Sequence, residues 1–316
     1  MEAPGPTTDP SAPPDRRAAR NWLGRIGLVV GIGLVIAAVG MVWSSRAQIE
    51  QALTEMRNPS AAHLAILVLA VLGNIVMSGL LFSVLMARYG RVGLLEMQAL
   101  IATSALLNYL PLRPGFFGRV AYHKAVNRIA ALDAAKAVVQ SAICTGIVAA
   151  YLAVALAACR SLGAPLLAAA LLPAPLLAAG ALVASCRRWA LALGIRYVEV
   201  AIWGARYWAA FGLLGIAIDA ETSLALACIG VIATMVPLLS NGLGLREWAI
   251  GLASPWLTAR IAQVQIGLAA DLLNRAAEVI VIAAAGILGA AYLARKKGTD
   301  LFSAGPDEEP TDPGKK

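Results

Sequence analysis

Uninterrupted apolar runs constrain this chain more than any other feature. Residues 26–42 and 64–87 contain no charged side chain. Each run is long enough, as a helix, to cross the roughly 30 Å hydrocarbon core of a bilayer. The chain is 59% hydrophobic and only 14% charged, whereas a soluble domain carries about 45–50% apolar and about 25% charged residues. So few charges cannot cover a water-facing surface, which excludes a soluble enzyme or nucleic-acid binder. The expected fold class is an all-α polytopic membrane protein. The net charge of +8 arises from basic residues beside the apolar runs, where they orient spans and meet lipid headgroups.

Two tails flank the apolar body. Residues 1–21 hold five prolines among polar residues, and 296–316 include Asp307, Glu308 and Glu309. Both compositions predict disordered tails. Between them lies one transmembrane domain, 22–295, with halves at about 22–160 and 161–295. Arg16, Arg17, Arg20 and Arg25 precede the first run like the head of a secretory signal. The run is long for one and no small-residue cleavage site stands clearly after it, so it reads as a retained span.

The positive-inside rule sets the remaining topology. Spans are expected at about 25–43, 63–87, 137–158, 163–185, 199–218 and 263–292, with a short external helix in 44–62. If the stretch 94–110 crossed fully, Arg113, Arg119, Lys124, Arg128 and Lys136 would lie outside. A re-entrant hairpin broken at Pro111–Gly115 removes that conflict. The stretch 223–253 breaks similarly at Pro237–Gly244. Six full spans and two broken hairpins then form two inverted halves, with both termini cytoplasmic. The breaks correspond locally: Ala102-Thr103, Pro111-Leu112, Gly115 and Arg119 against Ala233-Thr234, Pro237-Leu238, Gly242 and Arg246. Inverted repeats with broken helices are the architecture of transporters.

Candidate site residues lie at these breaks and in the last span. Gly242 and Gly244 permit backbone conformations closed to other residues, and Asn241 lies beside them. Arg246 and Glu247 open the following helix, whose N-terminus favours anions. Arg246 is either the donor to a headgroup phosphate or a structural anchor of the helix entry. The first break supplies Asn108, Arg113 and Arg119, with Arg113 also suited to the cytoplasmic interface. Asp271, Asn274, Arg275 and Glu278 lie inside the last span, with Asp271, Arg275 and Glu278 on one face. Charges there default to function, although Asp271–Arg275 and Arg275–Glu278 pairs could also staple the bundle. Asn74 and Ser78 read as bridges between helices. Cys144, Cys159, Cys186 and Cys228 have no paired spacing, and His63 and His123 have no close carboxylate in sequence. No metal site, cofactor, catalytic motif or ATP motif is expected.

At these residues the chain resembles the flippase-like membrane family that includes the transmembrane region of lysylphosphatidylglycerol synthases. Pro237, Gly242, Leu243, Gly244, Arg246 and Glu247 match its second break, Arg275 fits its last span, and the resemblance covers roughly 60–292. Phe116 stands where the family often has an acidic residue, and a Glu-Arg pair is replaced around Gln140. The resemblance implies a lipid-handling module without the aminoacyl-transferase domain. The expected function is therefore translocation of an anionic lipid, of phospholipid or polyprenyl-phosphate type, in the bacterial cytoplasmic membrane. Arg119, Arg246 and Arg275 would meet the headgroup, with Asp271, Glu247 and Glu278 as counter-charges. Two other classes compete: a membrane-embedded lipid- or glycan-modifying enzyme using Asp271 and Glu278, and a scaffold subunit of an envelope-synthesis complex. A homo-oligomer or an envelope-synthesis partner is compatible with each.

Overall fold

The computed structural model describes residues 36, 60–110, 114–163, 172–235, 242–258 and 261–303. The expected first span apart from residue 36, nearly all of the 44–62 stretch, the tails 1–21 and 304–316, Pro111, Arg113, Pro237 and Asn241 lie outside the described residues. Regular structure among the described residues is entirely helical: α1 (Ala61–Met86), α2 (Leu94–Leu107), α3 (Pro114–Ala125), α4 (Ala131–Leu162), α5 (Pro173–Leu182), α6 (Arg187–Leu213), α7 (Ala220–Thr234), α8 (Leu245–Leu257) and α9 (Val264–Ser303).

Three of these helices, α1, α4 and α9, are long and apolar enough to cross a membrane. Leu176, Leu182, Val154 and Leu288 are exposed on helix surfaces, the placement that lipid favours and water penalises. Helix α6 matches α1 in length but carries Arg196, Glu199 and Arg206 within it. It begins at Arg187, ahead of the expected start at 199, because Ala190 is buried and Trp189 and Ala192 already pack into a core. At the other terminus α9 continues through Arg295 to Ser303, past the expected end at 292. There Lys296 is held in an ion pair with Glu96 of α2.

Helices α2 and α3, with 14 and 12 residues, rise only about 21 and 18 Å at 1.5 Å per residue. Neither alone reaches across the hydrocarbon core, and the two pack on one another. Their approach is close: a Cβ on Gly115 would collide with the Ser104 carbonyl oxygen. Helices α7 and α8 repeat the arrangement with 15 and 13 residues. Gly242 (φ 68°) and Gly244 (φ 79°) occupy the left-handed region at the turn, as the sequence predicts for this break. A Cβ on Gly242 would lie 3.0 Å from the Ala233 carbonyl oxygen.

Helices α1 and α6 run antiparallel, with His63 stacked on Trp208 at one end and Asn74 beside Glu199 farther along. Helix α9 packs against both hairpins, through α2 and α8. Gly289 meets Ala99 on one side, and Gly267 meets Gly251 on the other. Small residues at such contacts let helix backbones approach, the usual basis of packing where lipid replaces water. One apolar core lies around Leu81, Leu85, Met97 and Ala137, and a second around Tyr207, Phe211, Leu226 and Ile250.

Candidate functional site

The last helix supplies the acidic side of a buried charge cluster. Asp271, Asn274, Arg275 and Glu278 project from α9, and each is at least nine-tenths buried. Arg246, in the first turn of α8, donates from Nε to Asp271 Oδ2 at 3.0 Å and from Nη1 to Glu278 Oε2 at 2.9 Å. Arg206 of α6 reaches the same carboxylate through Nη2, and also donates to Asn274 Oδ1 at 2.9 Å and Asn74 Oδ1 at 3.3 Å. Tyr109 donates to Glu278 Oε1 at 2.6 Å, and Tyr207 to Asp271 Oδ1 at 2.9 Å. Glu247 and Arg275 form a further ion pair between α8 and α9. Asp271 and Glu278 are thus paired across helices with Arg246 of α8 and Arg206 of α6, and Arg275 with Glu247. Three guanidinium groups meet three carboxylates here, so the cluster is electrically neutral.

Arg119 is in a different position. It lies on α3, 7% exposed, stacked over Phe82 with 4.2 Å from Cζ to the ring centroid. Its Nε is buried without a hydrogen-bond partner, and among the described residues no carboxylate pairs with it. It is the buried cation, among the described residues, that no acid answers. Arg119 faces a cavity of about 370 Å³ whose wall also contains Phe116, Ser141, Thr145, Arg196, Glu199 and Trp203. Arg196 donates from Nη1 to Glu199 Oε2 and from Nη2 to Ser141 Oγ, both at 2.7 Å.

A smaller cavity of about 150 Å³ adjoins the neutral cluster, lined by Asn74, Ser78, Asn108, Arg206 and Glu278. Glu199 and Trp203 belong to the walls of both cavities. Trp203 presents its ring to Arg206 at 4.0 Å. Asn74 and Ser78 bridge α1 to α6: Asn74 Nδ2 donates to the Glu199 carbonyl at 2.9 Å, and Ser78 Oγ to Glu199 Oε1 at 2.8 Å.

The structure thus brings together Arg246, Glu247, Asp271, Asn274, Arg275 and Glu278, and sets Arg119 apart in a cavity of its own. Gly242 and Gly244 shape the turn before α8, and Asn108 lines the smaller cavity. Arg196, Glu199, Arg206 and Trp203 join the site without having been singled out from sequence. Glu199 and Arg206 fall inside the expected fifth span, where an ionisable residue is itself a signal. Compared with family models, with functionally described proteins and with solved structures, the chain gives no match.

Proposed function

We propose that this protein is a lipid translocase of the bacterial cytoplasmic membrane, and that the cavity around Arg119 receives the anionic headgroup. The carrying observation is the unanswered Arg119 guanidinium at the wall of a 370 Å³ cavity. Removing an isolated charge from water costs several kcal/mol unless a counter-charge arrives, and a phosphate accepts an arginine's paired donors well. The acid and base that an enzymatic reading requires, Asp271 and Glu278, are occupied by Arg246, Arg206, Tyr207 and Tyr109. That occupancy favours transport over chemistry.

Packing supports an inverted repeat. The contacts of α1 with α2, α2 with α3, α3 with α4 and α9 with α2 recur as α6 with α7, α7 with α8, α8 with α9 and α4 with α7. Helices α1 and α6, equivalent in this scheme, pack on each other. With α6 crossing like α1, and each hairpin re-entering from its own side, the arrangement suits alternating exposure of a central site. The resemblance of Pro237, Gly242, Leu243, Gly244, Arg246 and Glu247 to the second break of the flippase-like family is in keeping with this reading.

Reconstitution into vesicles with a headgroup-accessible fluorescent phospholipid tests the reading. Arg119→Gln should slow translocation by about tenfold or more, the scale of one lost charge-assisted contact, while the protein stays folded. Translocation at the wild-type rate in this variant would sink the assignment.

A further inference from the structure

We propose that Glu199 is a specificity-determining residue that restricts the Arg119 cavity to a headgroup bearing one negative charge, a phosphodiester. The inference rests on the anionic-lipid reading and narrows it. Three ionisable side chains line the cavity, Arg119, Arg196 and Glu199, so its net charge is one positive unit. Arg196 is already committed to Glu199 and Ser141, leaving a buried Nε without a partner. Glu199 is fixed from the other side by Ser78 and through its backbone by Asn74. Its carboxylate, held in the ion pair with Arg196, therefore stays in the wall when a ligand enters.

Beyond Trp203 the neighbouring arginines offer no spare positive charge, because Asp271, Glu278 and Glu247 balance Arg246, Arg206 and Arg275. A phosphodiester, with a single charge, neutralises the cavity. A phosphomonoester carries about 1.5–2 negative charges at pH 7, its second pKa being about 6. The additional charge would face the Glu199 carboxylate where water screens poorly. Phe82, Phe116, Val138 and Val200 add apolar wall, which suits the carbon skeleton next to the phosphate. Diacylglycerol phosphodiesters and prenyl phosphosugars share this chemistry.

The test is binding to the purified full-length protein in detergent by titration calorimetry. The probes are short-chain phosphatidylglycerol, a short-prenyl phosphosugar diester and short-chain phosphatidic acid as the monoester. At pH 7.5 wild-type protein should bind a diester at least about tenfold tighter than phosphatidic acid, and the tighter diester identifies the source. Glu199→Gln, which keeps the side chain's shape, should remove or reverse that preference, whereas Glu199→Asp should retain it. On wild-type protein alone, lowering the pH through 6 should close the gap as the monoester loses its second charge. Equal affinities for diester and monoester at pH 7.5, or an unchanged ratio in a folded Glu199→Gln protein, would overturn the charge limit but leave the lipid reading standing. Failure of all three probes to bind wild-type protein would remove both.

Discussion

Arg119 and Arg246 each follow a hairpin glycine, Gly115 and Gly242, at the same interval, yet their surroundings are opposite. Counted from the first residue of each helix, Asp271, Asn274, Arg275 and Glu278 of α9 correspond to Val138, Ser141, Ala142 and Thr145 of α4. All four α4 residues line the Arg119 cavity. Where one half holds its arginine with carboxylates, the other leaves neutral side chains and space. Arg246→Gln should therefore act on stability. It takes from Asp271 its arginine and from Glu278 one of two, and breaking a buried ion pair costs about 3–5 kcal/mol. A melting curve in detergent should show a large loss for Arg246→Gln and little for Arg119→Gln. Equal losses would contradict the division of roles. The charges of α9 and the arginines at the breaks were legible because they interrupt apolar sequence. Their pairing was not, since Arg206 and Glu278 stand 72 residues apart and only the packing of α6 on α9 brings them together.

The hairpins depend on backbone approach at their glycines. Gly115 lies against the Ser104 carbonyl, whereas a Cβ on Gly118 would meet nothing within 4 Å. Gly115→Val should force α3 away from α2, costing about 1–3 kcal/mol or more as overpacking against rigid backbone. It should also weaken anion binding, because α3 carries Arg119. Gly118→Ala, one turn away from no neighbour, should leave both unchanged. Equal tolerance of both substitutions, read as melting temperature and phosphatidylglycerol affinity, would refute the tight α2–α3 junction. The breaks themselves were legible from proline and glycine, because these residues act locally. The start of α6 and the end of α9 were not. Those helices continue where Ala192 packs inward and Lys296 finds Glu96, contacts that are tertiary.

Across the whole molecule, the two ends differ in charge. Glu96 accepts hydrogen bonds from Asn127 at 2.8 Å and Tyr122 at 3.0 Å and pairs with Lys296. Arg88, Arg91, Lys124, Arg128, Arg187 and Arg188 belong to that end by their connections to α1, α3 and α6. At the opposite end Arg160 pairs with Glu221 at 2.7 Å and reaches the Leu257 carbonyl at 3.3 Å, near the Asp219 cap of α7. On the proposed topology the basic end faces the cytoplasm, as the positive-inside rule expects. The Arg119 cavity lies toward it, since Phe82 stands in the last turns of α1 and Arg196 in the first half of α6. A headgroup would therefore enter from the inner leaflet. Single cysteines at Arg128 and Ser161, both exposed, test this in cells expressing a variant without the four native cysteines. Position 128 should react with a membrane-impermeant maleimide only after the membrane is opened, and position 161 in intact cells. The reverse pattern would turn the molecule over and open the cavity toward the outer leaflet. Labelling of both positions in intact cells would break the two-ended arrangement, and with it the proposed inverted repeat with its hairpins on opposite sides.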